Sequence, residues 1–510
     1  MRRRCRGVIL RQNAMKRSKM MAIREKPHKI IFFQVMIGIL SGICYNDNND
    51  GLSERGGSEM AGFVKNKIEL DRDVQKELLD WKSNRNDTVL QVEGPRQVGK
   101  THEVRKFAYS HYKQVVYVNL VRDEYGFEDL MLTDHFMQEY CRNAGIGEYV
   151  DDESTILVID EIQERANVYN AIRDLREQLG CDIIVSGSYL ARTVNSKDFF
   201  LPAGIEYLQM YPLSFKEFCR ALGIEKELET ISLSSNSSEE EYQKIEDAYQ
   251  VYRKIGGYPQ VVTTFIKTQK VAACKRILAN LIRTFTAESS RFFPNSTALS
   301  IFREVYKGVL VQITEEKKGT GKTFLEFVTN FVKDNVKEPV SRNEVRAAAS
   351  WLLYSGIIGY CDLYNNGDVT DVVSNRRAYF ADPGIANYIS DMITVPRDAI
   401  EGMLTETFAY TELNRLYQAA PGEKRVRGDK PCFSICGDYE LDFVVVDKED
   451  TRYGLEVKTG NNRAKSLEYY KDKGLIDKGF RCAVSYGGQG KRFATIPIYT
   501  IGCRFPYETV

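Results

Sequence analysis

The chain is poor in the residues that build metal centres and covalent scaffolds. It has four histidines in 510 residues, and its 11 cysteines are odd in number and scattered. Cys432 and Cys436 form the one close pair, and no second pair or histidine follows at a zinc-ligand spacing. This argues against a structural zinc site and against a disulfide-stapled secreted fold. The thiols read as reduced and mostly buried, in a cytoplasmic protein. Long apolar runs are scarce as well. Ile30–Tyr45 is free of charge for 16 residues, but a membrane-spanning helix needs about 20, so no stable membrane association is expected. Net charge is also small, at +1. Residues 1–59 hold 12 Lys/Arg against 5 Asp/Glu, which leaves the rest of the chain at −6. A body of that sign is not the footprint of a protein that coats nucleic acid, although a local basic groove remains open as a reading.

What is present describes an ordinary soluble chain. Hydrophobic residues make up 43% and charged residues 28%, enough for sizeable cores, and the length suggests two to four domains. The first 59 residues read as separate from these. Glu54-Arg55-Gly56-Gly57 is encodable by a purine-rich run resembling a ribosome-binding site a few codons before Met60. Translation from Met60 is therefore expected, with a weak N-terminal anchor as the alternative.

The strongest chemical signal is Gly94–Thr101 (GPRQVGKT), which matches G-x-x-x-x-G-K-[ST] without a gap. The β-forming run Thr88–Glu93 precedes it and a helical stretch, His102–Tyr109, follows. This is the strand–loop–helix context that a phosphate-binding loop requires. Gly94 and Gly99 let the backbone curl, with Pro95, Arg96, Gln97 and Val98 between them, so that N–H groups face phosphates at a helix N-terminus. Lys100 can reach the β- and γ-phosphates of ATP, and the Thr101 hydroxyl can ligate Mg²⁺. About 60 residues on, Ser154–Asp160 (STILVID) is an apolar strand ending in Asp160-Glu161, the form of a Walker B motif. Asp160 is expected to hold Mg²⁺, directly or through water, and Glu161 to polarise the attacking water. A third strand, Asp182–Val185, leads into Ser186-Gly187-Ser188, where Ser186 and Ser188 are candidate γ-phosphate sensors or parts of a simple turn. Arg192 reads as a solvated loop arginine. Gly319–Thr323 (GTGKT) looks like a second phosphate loop. However, Glu316 stands where the first glycine belongs, and a charged run replaces the preceding strand, so it reads as an ordinary loop.

Taken with LVIDEIQE (157–164), SGSYL (186–190), YPLSFKEF (211–218) and GGYPQVV (256–262), GPRQVGKT makes residues 62–500 resemble prokaryotic AAA-superfamily ATPases that carry a C-terminal domain of uncharacterised function. The resemblance implies an α/β fold. A P-loop parallel sheet would occupy 60–220 and a helical lid 221–294. Many relatives have an arginine before the YPLSF strand, where this chain has Gly204-Ile205, so no arginine finger is assigned. Assembly into a homo-oligomer is implied by analogy alone.

Two further regions complete the reading. In 295–385, the helix-periodic Ser341–Ser355 followed by a strand at Gly356–Leu363 suggests a winged-helix-like connector. Such modules bind DNA or simply pair domains, so DNA or RNA stays open as a partner. In 386–510, Glu440–Val446 and Leu455–Lys458 read as hairpin strands carrying Asp442, Glu456 and Lys458. The spacing D-x(13)-E-x-K is similar to the PD-(D/E)xK nuclease signature. Alternation puts Glu456 and Lys458 on one face, and Glu406, on a helix over Leu404–Tyr417, could add a carboxylate. Two carboxylates could bind Mg²⁺ while the lysine orients water, or the pair could be a surface salt bridge. Three readings of the whole follow: an Mg²⁺-dependent ATPase that repositions a nuclease-like domain, an ATP-gated nuclease, or a non-catalytic ATP-binding switch that holds a protein partner.

Overall fold

Five short runs rich in β-branched residues, β1 (Val89–Glu93), β2 (Gln114–Asn119), β3 (Thr155–Asp160), β4 (Asp182–Ser186) and β5 (Ile205–Gln209), pair in parallel in the order β2-β3-β4-β1-β5. The computed structural model describes residues 68–84, 87–188, 198–200, 203–289, 297–316, 322–367, 372–418, 424–460 and 463–507. The expectations for residues 1–59, Met60, Arg192 and Gly319–Gly321 lie outside these. β3 and β4 are buried along their whole length, because a parallel sheet is covered on both faces and its strands read as continuous apolar runs. The order inserts β4 between β1 and β3. The loops after these three strands therefore leave the same sheet edge side by side, where a ligand can touch all of them.

Helices follow the sheet. Ser214 and Glu217 form a capping box that starts Phe215–Ala221, and Ser238 and Glu241 do the same for Glu239–Ile255. That long helix stops at Gly256, which sits at φ 71°, and Pro259 opens the next helix, Pro259–Thr268. Val271–Ser289 completes the group. Three more helices, Thr297–Glu316, Phe324–Asn335 and Arg342–Tyr354, pack on one another. Capping boxes from Thr323 and Ser341 start the second and third. Thr323 belongs to the GTGKT segment, so its hydroxyl caps a helix and accepts from the Glu326 N–H.

A second, mixed sheet has eight strands in the order β12-β13-β11-β10-β9-β8-β6-β7. These are β6 (Ile358–Tyr364), β7 (Val372–Phe380), β8 (Cys432–Cys436), β9 (Tyr439–Val446), β10 (Arg452–Lys458), β11 (Lys478–Ala483), β12 (Gly488–Gln489) and β13 (Ala494–Pro497). The β6–β7 hairpin does not stop at the three helices it follows. β6 pairs in parallel with β8, Leu363 opposite Phe433, and so extends the C-terminal sheet. The side chains of this sheet divide between two faces, and a register shift between β8 and β9 breaks strict alternation between Leu441 and Val444. Phe443, Val445 and Leu455 pack toward the helix Arg397–Tyr417, while Leu441 and Val444 pack with Leu467 and Tyr470 of the helix Lys465–Asp472. One apolar cluster runs without a break from Leu90 and Val92 of β1, through the helices Glu239–Ile255 and Val271–Ser289, to the second sheet. The two sheets are thus joined by packed side chains rather than by a linker.

Candidate active site

The loop after β1 has the backbone that its glycines permit. Gly94 has φ 146° and Gly99 φ 101°, and a β-carbon at Gly94 would collide with the Met210 carbonyl oxygen. Gln97 adopts φ 66° without being glycine, a conformation that costs free energy unless the surroundings impose it. Lys100 opens the helix Lys100–His111 and is buried. Its ammonium donates to the carbonyls of Gly94 (2.8 Å) and Pro95 (3.0 Å) and to Ser188 Oγ (3.0 Å). Burial pushes its pKa down to about 8, against the pull of the Glu161 and Asp160 carboxylates. A buried ammonium at the mouth of a phosphate-type loop is poised for an anion, whose charge would offset the cost of its burial.

Asp160, at the end of β3, is buried and gathers donors from four places. Its Oδ2 accepts from Thr101 Oγ1 (2.9 Å) and the Tyr117 hydroxyl (2.8 Å), and its Oδ1 from Ser186 Oγ (2.5 Å) and the Glu161 N–H (3.0 Å). The strand order explains this convergence: Tyr117 comes from β2, Ser186 from β4 and Thr101 from the helix after β1. Glu161 sits at φ 56°, and Gln163 Nε2 donates to its carboxylate at 2.5 Å. The structure therefore brings Gly94–Thr101, Asp160, Glu161, Ser186 and Ser188 to one sheet edge. Ser186 donates to Asp160, and Ser188 accepts from Lys100. Tyr117 is a member that sequence reasoning missed. Its phenol is pushed up to about 12, chiefly by burial.

Sequence reading also missed a clamp beside the loop, built on Tyr211–Phe215. Arg72 donates to the carbonyls of Val98 (3.2 Å) and Tyr211 (2.7 Å) and pairs with Glu217 (2.9 Å). Arg415 donates to Pro212 O (2.6 Å), and the Tyr252 hydroxyl to Leu213 O (2.6 Å). The Leu213 N–H donates to Gly257 O (2.7 Å), and the Phe215 N–H to Glu412 (3.2 Å). Gly257 N–H donates in turn to Asp382 (2.7 Å), whose carboxyl burial pushes up to about 6. One five-residue segment thereby touches the phosphate loop through Arg72, the helix Glu239–Ile255 and the turn after it through Tyr252 and Gly257, and the helix Arg397–Tyr417 through Glu412 and Arg415. Two more contacts close on the loop itself: Arg96 pairs with Glu288 of the helix Val271–Ser289, and Gly356, at the end of the three-helix group, packs on Pro95.

The C-terminal residues come together only in part. Lys458 Nζ lies 2.7 Å from Glu456 Oε1, on the same strand face, and the Val457 N–H donates to Asp442 at 2.7 Å. Burial raises the Glu456 carboxyl, Lys458 lowers it, and the neighbouring Asp442 raises it again. Glu406 does not join them in a ligand set. It accepts from the Tyr379 hydroxyl at 2.6 Å and lies 3.7 Å from the Arg377 guanidinium. Among the described residues no three His, Cys, Asp or Glu side chains converge as a metal site. The physical reason is the helix Arg397–Tyr417: it packs against β7, where a buried arginine and tyrosine take up the glutamate.

Residues 86–219 match the AAA domain family. The match takes in the parallel sheet, its phosphate loop and the Asp160-Glu161 edge, which together are similar to an AAA-type P-loop ATPase domain. Residues 246–394, which run from within the helix Glu239–Ile255 through the three-helix group and the β6–β7 hairpin, match a domain of unknown function, DUF8612. An uncharacterised protein of Haemophilus influenzae is 24% identical over 196 residues, 37% of this chain and 43% of its own length. The chain thus spans less than half the length of that curated relative. Similar solved structures include a Walker-type ATPase of Pyrococcus abyssi (13% identical, 63% of this chain and 96% of that one, TM-score 0.39). Another is the RuvB Holliday junction branch migration motor of Thermotoga maritima (13% identical, 64% and 96%, TM-score 0.26). Cdc6p of Pyrobaculum aerophilum is a third (11% identical, 68% and 97%, TM-score 0.24). Likeness at that level carries nothing about function from those proteins to this one. Among the described residues no helix is long and apolar enough to cross a membrane.

Proposed function

We propose that this chain is an Mg²⁺-dependent ATPase whose nucleotide state is passed from the AAA domain to the C-terminal mixed sheet. The observation that carries the reading is the edge formed by Thr101, Asp160 and Lys100, where a hydroxyl and a carboxylate lie 2.9 Å apart beside a buried ammonium. The Thr101–Asp160 pair is a hard-oxygen donor set of the kind Mg²⁺ takes together with phosphate and water, so these two residues would hold the ion. When bound, Mg²⁺ would neutralise charge on the β- and γ-phosphate oxygens. The N–H groups of residues 94–101 would cradle the phosphates. Lys100 would exchange its loop carbonyls and Ser188 for them, and Ser186 and Tyr117 would keep the Asp160 carboxylate in place. Glu161, held by Gln163, would orient the attacking water. The clamp at Tyr211–Phe215 would carry a change in the loop to the helix Arg397–Tyr417, and the β6–β7 hairpin, with its winged-helix-like order, would carry it to the mixed sheet.

The test compares ATP binding and phosphate release, with and without Mg²⁺, in wild type and Glu161→Gln. Glu161→Gln should keep ATP binding and lose turnover. Wild-type turnover at the level of the variant would replace this reading by the non-catalytic switch. A second reading, an ATP-gated nuclease, draws on the Glu456–Lys458 pair beside Asp442. Its test is cleavage of single- or double-stranded DNA or RNA with Mg²⁺ and ATP, and equal cleavage by wild type and Lys458→Ala would remove it. Assembly into a homo-oligomer is a proposal of the same standing, checked by light scattering with and without ATP.

A further inference from the structure

A second concave region lies away from the phosphate loop, between the AAA domain and the C-terminal hairpin. It is a cleft of about 1030 Å³. One wall carries Lys76, from the helix Val74–Asn84. The other carries Lys424 and Arg425, which lead into β8, with Lys448 on the turn between β9 and β10 and Lys478 at the start of β11. None of these five cations makes an ion pair among the described residues. Lys478 meets only the face of Tyr453, at 5.6 Å.

The acids that share the lining are mostly committed elsewhere. Asp73 is paired with Arg220 at 2.7 Å. Asp447 accepts from the N–H groups of Glu449 and Thr451 and from the Tyr453 hydroxyl, all within the turn. Lys216, a sixth cation, is already paired with Glu229 at 2.8 Å. Among the described lining residues, Glu449 is the one acid left to face these five cations. Beyond residue 59 the chain carries an excess of acids, so five cations without carboxylates in one cleft run against its overall balance. An uncompensated concentration of positive charge in a cleft is therefore a built feature, and low-dielectric walls focus its field on whatever enters.

We propose that this cleft binds a single-stranded nucleic acid through its phosphates. The cations are spread over two walls and four chain segments rather than converging on one point, so they suit a ligand with repeated charges rather than one small anion. They also line the inside of a cleft, where a single strand can lie with phosphates in reach of both walls, whereas a duplex would need a broad outer face. Lysine and arginine on phosphates read no sequence, so binding is sequence-tolerant and strongly salt-dependent. The cleft is at the turn end of the β9–β10 hairpin. Asp442, Glu456 and Lys458 lie toward its other end, beyond the last paired residues Phe443 and Leu455. The proposal thus rests neither on the ATPase reading nor on the nuclease reading. It also places the strand between two parts of the fold, since Lys76 is on the helix Val74–Asn84 and Lys448 on the β9–β10 turn.

The experiment measures anisotropy of fluorescein-labelled oligo(dT), oligo(U) and a mixed-sequence duplex against the full chain at several salt concentrations. The comparison is with the double variant Arg425→Glu, Lys448→Glu, whose side chains are exposed. Five phosphate contacts predict a slope of log Kobs against log salt of about −3.5 for single strands, and the double variant should flatten it by about 1.4 or more. Affinity should fall by roughly tenfold or more at low salt, while thermal melting and basal ATP turnover stay unchanged. Failure of wild type to bind the single strands, equal affinity and slope in the variant, or tighter binding of the duplex would each overturn the proposal. Loss of ATP turnover in Glu161→Gln with intact oligonucleotide binding would leave it standing, so the two readings fail separately.

Discussion

Each of the two sheets ends in carboxylates with a lysine beside them, yet they hold these groups in opposite ways. Asp160 is fixed by donors from β2, from β4, from the helix after β1 and from its own turn. Lys458, by contrast, pairs with a glutamate two residues away on its own strand. Convergence from several elements is costly in chain order and persists where the geometry is needed, because such preorganised groups are what stabilise developing charge. An i,i+2 pair is what any strand face presents when it carries opposite charges. The difference favours the first edge as the reaction site proposed above. The second earns that status only by measured chemistry.

The sharpest break in the comparison is Lys100→Ala against Lys458→Ala. Removing Lys100 should lower ATP turnover by about 10²–10³-fold, the usual cost of one preorganised electrostatic partner, while Lys458→Ala should leave it within about twofold. Steady-state phosphate release decides, and an equal loss in both variants would erase the distinction. A pH dependence goes with it. The Lys100 pKa is lowered to about 8 in the empty loop, and bound phosphates favour the charged form. ATP binding should therefore take up protons and weaken as pH rises through about 8. Calorimetry in buffers of different ionisation enthalpy would show this, and flat affinity between about pH 7 and pH 9 would contradict the burial of Lys100.

The clamp between the two regions gives the next effect. A β-carbon at Gly257 would meet the backbone O, N and C of Leu213, with N at 2.7 Å and C at 2.9 Å, while one at Gly402, inside the helix Arg397–Tyr417, meets nothing within 4 Å. Gly257→Ala should cost about 1–3 kcal/mol by overpacking. Gly402→Ala should add up to about 1 kcal/mol through helix propensity. Opposite shifts of the denaturant midpoint would show that the Tyr211–Phe215 junction is rigid. The same sign for both would show that it yields.

What was legible beforehand follows from how far a residue's partners lie along the chain. The phosphate loop, β3 and Asp160-Glu161 are local patterns, and their strands and helices appear within a residue or two of the expected bounds. Tyr117 is not local: its role depends on β2 lying beside β3, and its partner is 43 residues away. Arg72 reaches Glu217 across 145 residues, and Glu412 reaches Phe215 across 197, so the clamp has no signature in one sequence. The sheet joined by β6 and β8 is hidden for the same reason. The hairpin strands were readable from alternation, but the place of Glu406 was not. Facing Asp442 or facing Arg377 and Tyr379 are both compatible with one helix, and only tertiary packing selects between them.

The smallest effect sharpens the comparison at the hairpin itself. Glu456 is 4% exposed and its carboxyl is raised, first by burial, with Lys458 pulling it back. A group whose folded pKa is raised contributes stability that is fully present below the unfolded value of 4.5 and is lost as pH rises through the folded value. Removing Lys458 takes away the charge that limits this rise, so the loss continues to higher pH in the variant. Lys458→Ala should then be less stable than wild type by no more than about 1 kcal/mol near neutral pH. The two should converge near pH 4, where Glu456 carries its proton in both. Denaturant titrations at the two pH values measure the difference. A constant gap would mean that Lys458 acts by packing, whereas a gap several times larger at neutral pH would mean that the carboxylate is held charged against burial. That arrangement stores free energy for binding a cation, and it would move the second edge toward the first.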